Sequence, residues 1–356
     1  MSRKIRVAIL FGGKSAEHEV SVRSARNIAE ALDRSKYEVT LIGITKSGAW
    51  LPPRRVSGLI GTRVLRSKKE RALVALAPEG KGALIGSQEG RPFDVVFPVL
   101  HGPFGEDGTV QGLLRLANVP FVGAGVLGSA VGMDKDVMKR LLREAGIPIG
   151  KFLVARSARE VSFAVAKKKL GLPLFIKPAN LGSSVGVSKV RTASEYAKAL
   201  REALRYDTKV IIEAFIKGRE IECSVLGNEE PIASVPGEIV VHSEFYSYET
   251  KYIDENGASL EIPAQLPKPI VRKIQELAIK TFKTLACEGM GRVDFFLTPS
   301  GKLYVNEINT IPGFTNISMY PKLWEASGIP YSKLINKLIA LAIERFEKQQ
   351  RLKTSR

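Results

Sequence analysis

Apolar residues in the first 130 positions come in short unbroken runs rather than in alternation. RVAILF (6–11), EVTLIGI (38–44) and FDVVFPVL (93–100) read as strands buried on both faces. Between the first two, SVRSARNIAEALD (21–33) spaces its apolar residues three and four apart, which predicts a helix. Strand, helix, strand in that order predicts a parallel sheet with helices on its faces. VPFVGAG (119–125) closes this unit with small residues, and a helix is expected from about Met133, stopped by Gly146 ahead of Pro148.

A smaller unit follows. LPLFIKPA (172–179) predicts a strand, NLGSSVGVSKV (180–190) a Gly/Ser hairpin and ASEYAKALREAL (193–204) a helix, and the strand-like KVIIEAFIKG (209–218) leads out of it. The remainder is β-rich: REIECSVLG (219–227), GRVDFFLT (291–298) and LYVNEIN (303–309), with a helix expected over 267–287. No internal repeat or low-complexity tract is evident.

Composition narrows the class. A chain of 356 residues with 44% apolar and 25% charged residues suits a globular protein of two or three domains. No apolar run reaches transmembrane length, and MSRKIRVAILFGG lacks a secretory cleavage pattern. Two cysteines, Cys223 and Cys287, cannot form a disulfide framework, so a cytoplasmic location is expected. The net charge of +18 is uneven, because residues 213–356 carry 18 basic and 18 acidic residues and the whole excess lies before them. Such a bias suits an anionic small ligand or nucleic acid. No recognition helix, zinc or RNP-type motif supports nucleic acid, and the basic cluster 54–71 reads as a solvated surface insertion.

Polar residues at strand ends carry the candidate chemistry. FGGKSAEHEVS (11–21) contains Gly-Lys-Ser, but a P-loop requires glycine where Ala8 stands. What remains is a Gly turn presenting Glu17, either as a first-turn partner of the helix dipole or toward a ligand at the carboxyl end of the sheet. LHGPFGEDGTVQG (100–112) is a tight loop in which Asp107 can cap the next helix and His101 can reach a substrate. Lys177 ends an apolar strand and therefore needs an anion; the Gly/Ser turn after it offers backbone N–H donors suited to phosphate, and Lys135 can serve the same anion. Asp294 lies on one late strand, and Glu307 and Asn309 two apart on the next. If these strands pair, three oxygen-bearing side chains converge as a hard-cation site, with Arg292 on the same face.

Taken together, FGGKSAEHEVS, HGPFGEDGTVQG, MDK, FIKPANLGSSVGVSKV, GRVDFF and NEINTIPG resemble the D-alanine–D-alanine ligases of the ATP-grasp superfamily, in order from about residue 5 to residue 340. The resemblance implies an α/β, three-domain ATP-grasp fold. Residues 1–128 would form a Rossmann-like domain binding the first D-alanine, 129–212 the central ATP-grasp subdomain, and 213–356 the C-terminal domain with a lid at 242–258. It implies that Lys135 and Lys177 contact ATP phosphates, that Glu213, Ala214, Phe215 and Ile216 meet the adenine, and that Glu220 meets the ribose. Asp294, Glu307 and Asn309 would hold two Mg²⁺ ions, with Mn²⁺ as a substitute. Glu17 would hold the first D-alanine's ammonium, linked to Ser183 and Tyr252, with His101 nearby. Arg292 and the Gly313 N–H would stabilise the tetrahedral intermediate, Ser318 and Met319 would meet the second substrate, and Lys251 would reach the phosphate when the lid closes. A homodimer without membrane or nucleic-acid partners is implied. Val305 stands where the family more often has Leu or Ile.

The implied chemistry is activation of an unreactive carboxylate as an acyl phosphate, followed by attack of an amine. The alternatives are an ATP-grasp ligase with another acceptor, such as D-lactate, and a basic nucleic-acid-binding protein on a dead ligase fold; the intact Asp294, Glu307 and Asn309 set argues against the latter.

Overall fold

The computed structural model describes residues 3–53, 74–86, 91–183, 185–241 and 258–353. Its first strand, β1 (Ile5–Gly12), is buried at every position but the first. Gly12 and Gly13 hold φ of 95° and 91°, a region costly for any residue with a Cβ, and turn the chain into α1 (His18–Ala31). β2 (Tyr37–Ile44) pairs parallel with β1 along its whole length. β3 (Trp50–Leu51) edges β2, β4 (Ala75–Leu76) and β5 (Leu84–Ile85) form a small hairpin, and β6 (Val95–Val99) pairs parallel with the other side of β1. The sheet order is β3-β2-β1-β6, so the carboxyl ends of β1 and β6 lie side by side.

Three helices follow: α2 (Thr109–Leu116), α3 (Val126–Met133) and α4 (Lys135–Glu144). Asp107 does not occupy the cap position of α2. Gly108 does, at φ 90°, and Asp107 accepts the N–H of Thr109 at 3.0 Å. The helix expected from about Met133 is α4, which starts at Lys135; Met133 ends α3, a helix that the apolar spacing leaves unmarked, and the two are separated by Asp134. That residue is extended, and its carboxylate accepts the N–H groups of Asp136 and Val137 as the N-cap of α4. Lys135 is thereby the first residue of a helix.

The central unit comprises β7 (Phe152–Ala155), α5 (Phe163–Leu170), β8 (Leu174–Pro178), β9 (Ser188–Val190), α6 (Ala193–Ala203) and β10 (Val210–Ala214). Its sheet is antiparallel in the order β7-β10-β8-β9, over a core of its own around Ile176, Leu200 and Ile212.

The last unit contains β11 (Arg219–Gly227), β12 (Ile232–Ala233), β13 (Gly237–Val241), β14 (Ala258–Glu261), α7 (Lys268–Thr284), β15 (Gly289–Leu297), β16 (Leu303–Asn309), α8 (Met319–Ala326) and α9 (Tyr331–Gln350). The strands run β14-β13-β11-β15-β16, with β12 on β11. Trp324, Leu334 and Leu338 of the last two helices pack with Val7, Ile9 and Phe11 of β1, so the end of the chain covers one face of the first sheet. Arg345 of α9 fastens this contact by donating to the carbonyls of Gly123 and Phe121. The boundaries expected at 128/129 and 212/213 fall within α3 and β10. Among the described residues no helix is long and apolar enough to cross a membrane.

Candidate active site

The site grows from an irregularity in one strand pair. β15 and β16 pair antiparallel with Arg292 opposite Asn309 and Asp294 opposite Glu307, yet Phe295 stands opposite Val305. Asn306 is therefore an extra residue, a β-bulge that re-aims the side chains beyond it. Leu303 and Val305 point into the core at odd positions; after the bulge Ile308 takes the core and Glu307 and Asn309 turn to the cleft. A carboxylate and an amide can thus share a face of an apolar strand without being buried in its core.

Arg292 joins them. Its guanidinium donates to both Asp294 oxygens at 2.8 Å, and its Nε also lies 2.8 Å from Glu222 Oε2 on β11. Burial opposes this charge, but Asp294 and Glu222 outweigh it and raise the Arg292 pKa further. Asn309 Nδ2 donates to Asp294 at 3.0 Å.

Lysines line the neighbouring cavity of about 420 Å³. Lys135 Nζ donates to the Leu181 carbonyl at 2.7 Å and lies 3.3 Å from Glu307. One turn along α4, Lys139 Nζ is 2.8 Å from Glu213 Oε1, and Lys177 Nζ on β8 is 2.6 Å from Glu213 Oε2. Burial would raise the Glu213 carboxyl, but the two ammonium groups prevail and hold it at about 2. Ala214, Phe215, Ile216 and Glu220 complete the wall.

A larger cavity, about 1040 Å³, opens on the other side of Glu307. Glu17 is the N-cap residue of α1, but its carboxylate does not cap the helix. It lies where a methyl on Gly182 would come within 3.6 Å and one on Gly102 within 3.9 Å, between the loop after β6 and the turn after β8. His101 Nδ1 is 3.0 Å from the Ile311 carbonyl. A carbonyl only accepts, so Nδ1 carries the proton and Nε2 presents its lone pair; burial lowers the pKa of the ring. Glu106 accepts the N–H groups of Gly102 at 2.8 Å and Ile311 at 3.1 Å. Burial, then the charge of Glu17, pushes its carboxyl up to about 8.

At the far end, the turn 310–318 is tied to α1 through Phe314 N–H to Ser24 at 3.0 Å and Asn27 to the Phe314 carbonyl at 3.0 Å. A Cβ on Gly313 would stand 2.8 Å from the Ser318 hydroxyl. Ser318 is the N-cap of α8, and a helix start there favours a carboxylate.

The two cavities share Gly182, Ser183, Ile239 and Glu307. Lys135, Lys177, Glu213, Ala214, Phe215, Ile216 and Glu220 line the smaller one, and Glu17, His101, Arg292, Asn309, Gly313, Ser318 and Met319 the larger. Asp294 lines neither, because its carboxylate is turned into the fork of Arg292. Among the described residues no three His, Cys, Asp or Glu side chains form a metal-binding group; the expected set has two carboxylates and an amide, hard oxygen donors of the kind magnesium takes beside phosphate. Lys251, Tyr252 and the lid to residue 257 lie outside the described residues, as does the basic stretch 54–71. In sequence, Glu106 figured only as one of a Glu-Asp pair in the loop 100–112, and Lys139 and Glu222 were not singled out. Lys139 stands one helical turn after Lys135, and Glu222 two residues after Glu220, the only signals that pointed to them.

Two family models match this chain: the D-ala D-ala ligase N-terminus over residues 6–124 and the D-ala D-ala ligase C-terminus over residues 141–340. The D-alanine–D-alanine ligase of Shouchella clausii is 54% identical over 99% of this chain and 98% of its own length. D-alanine–D-alanine ligase A of Escherichia coli K12 is 53% identical over 99% of both chains. Among solved structures, the D-alanine–D-alanine ligase from Coxiella burnetii superposes with a TM-score of 0.86 at 42% identity, covering 98% of this chain and 97% of that one. The VanG D-Ala:D-Ser ligase from Enterococcus faecalis superposes with a TM-score of 0.83 at 37% identity over 96% and 100%.

Proposed function

We propose, from the premise that this chain belongs to the D-alanine–D-alanine ligase family, how its residues divide the reaction. The chain is a ligase of ATP-grasp fold that joins two D-alanines into D-alanyl-D-alanine for peptidoglycan synthesis, with ATP as the driving substrate. The observation that carries the reading is the meeting of a lysine-lined cavity and a larger cavity lined by Glu17, Arg292 and Ser318 at Glu307, Gly182 and Ser183.

In this reading Lys135 and Lys177 hold the phosphates, the segment Glu213–Ile216 receives the adenine, and Glu220 the ribose. Glu17 takes the ammonium of the first D-alanine, with Ser183, Tyr252 and His101 around it. The first carboxylate oxygen attacks the γ-phosphorus; ADP leaves and D-alanyl phosphate forms. The amine of the second D-alanine, its carboxylate on Ser318 and Met319 at the start of α8, adds to the carbonyl. The oxyanion so formed is held by Arg292 and the Gly313 N–H. Collapse expels phosphate, and the amine proton is lost. Mg²⁺ (two ions, replaceable by Mn²⁺) on Asp294, Glu307 and Asn309 would neutralise phosphate oxygens. Lys251 and the lid 242–258 exclude water from the labile acyl phosphate.

Three domains, 1–128, 129–212 and 213–356, fit the separate sheets, although strands and helices straddle the joints. A cytoplasmic homodimer fits the two buried free thiols and the exposed Leu113, Leu116 and Leu127 on the adjacent α2 and α3. The test of function is to supply ATP and Mg²⁺ with D-alanine and, in competition, D-lactate or D-serine, and to quantify products. Predominant D-alanyl-D-alanine at pH 7 is expected, with Tyr252→Phe raising the D-lactate product. A wild type that makes mainly the D-lactate or D-serine product would overturn the acceptor assignment.

A further inference from the structure

Among the described residues, Lys139 is the largest charged side chain that is fully enclosed. A lysine in that position would ordinarily shed its proton or be replaced by an apolar residue. Its ammonium instead meets Glu213 at 2.8 Å, while the other oxygen of the same carboxylate meets Lys177 at 2.6 Å. One carboxylate thus serves two ammonium groups. The alternative arrangement, Glu213 with Lys177 alone, would be a closed neutral pair. It would present the nucleotide cavity with a lysine whose charge is already cancelled.

We propose that Lys139 is a positioning residue for nucleotide binding. By occupying one oxygen of Glu213 it leaves Lys177 with uncancelled positive charge, fixed in direction by the other oxygen, for the phosphate chain. The inference rests on reading the 420 Å³ cavity as the nucleotide site. Lys139 acts through Glu213, on a different strand from Lys177, so three elements (α4, β8 and β10) set one charge.

The experiment titrates ADP with Mg²⁺ into the full-length enzyme by calorimetry, with D-alanine binding and thermal melting measured alongside. Lys139→Met is expected to weaken ADP by about tenfold or more, the scale of one charge removed a few ångströms away at the effective dielectric of a protein, while D-alanine binding stays within about twofold. Lys139→Gln, which keeps a donor toward Glu213 but not the charge, is expected to weaken ADP to the same extent, and it keeps the test alive if the Met variant does not fold. Lys139→Arg, which returns a cation to the same carboxylate, is expected to bring ADP affinity to within about threefold of wild type. Undiminished ADP affinity in folded Lys139→Met or Lys139→Gln overturns the proposal. So does a folded Lys139→Arg as weak as Lys139→Met, because the position would then serve the packing and not the charge. A wild type that binds no ADP would instead overturn the nucleotide reading of the cavity, a result distinct from both.

Discussion

Asp294 and Glu307 stand directly opposite each other across β15 and β16, and each is held by a cation of its own: Arg292 forks onto Asp294 at 2.8 Å and Lys135 lies 3.3 Å from Glu307. Two carboxylates facing each other would repel; the two cations offset that repulsion and hold both side chains in place.

Glu307→Gln keeps the shape of this pair and removes one charge. Turnover is expected to fall by about a hundredfold or more even at saturating Mg²⁺, since the residue lines both cavities and is proposed to hold the metal beside the phosphates. Melting should move little, because Glu307 sits on the cleft wall rather than in the core. Steady-state kinetics over a Mg²⁺ series and a melting curve decide it, and near-normal turnover would remove Glu307 from the metal set.

Gly313→Ala places a methyl against the Ser318 hydroxyl. The acceptor end of the cavity is expected to suffer first. KM for the second D-alanine should rise about tenfold or more, with ATP affinity near wild type. Initial-rate analysis that separates the two D-alanine sites checks this.

Glu106 makes the free enzyme pH-sensitive. Its folded pKa of about 8 lies above the ordinary 4.5, so the native state binds the proton more tightly than the unfolded chain. The stability this contributes is complete below pH 4.5 and is lost as pH rises through about 8. The melting temperature of wild type should therefore decline across that window more steeply than that of Glu106→Gln. Parallel slopes in a differential scanning series would contradict the shift.

Arg345→Ala removes two donors to buried carbonyls and the stack over Phe121, 4.6 Å from the ring centroid. A loss of about 2–4 kcal/mol is expected, read by denaturant titration. Activity at low temperature should persist, since none of these contacts lines the cleft.

Much of this was legible in the chain. The unbroken apolar runs became parallel strands, REIECSVLG became β11 residue for residue, and the strand-end polar residues reached the cleft. What stayed hidden shares one cause: residue type reveals chemistry but not what surrounds it. Lys139 reads as a solvated helix lysine until three elements close over it. Glu222 reads as the polar position of an alternating strand until Arg292 arrives from the next. The helix α3 went unmarked because VLGSAVGM carries two glycines and no polar face to set a helical spacing.

Asn306 has a consequence of a different kind. Every side chain beyond it is aimed by the number of residues before it, so its presence matters more than its identity. Replacing it should be mild. Deleting it would make Glu307 follow Val305 directly in a regular ladder, which keeps Glu307 and Asn309 on the cleft face and Ile308 in the core but removes the bend and extra twist of the bulge, so the same two groups would be aimed elsewhere. Length, at this one point in the chain, is as much a part of the active site as any side chain.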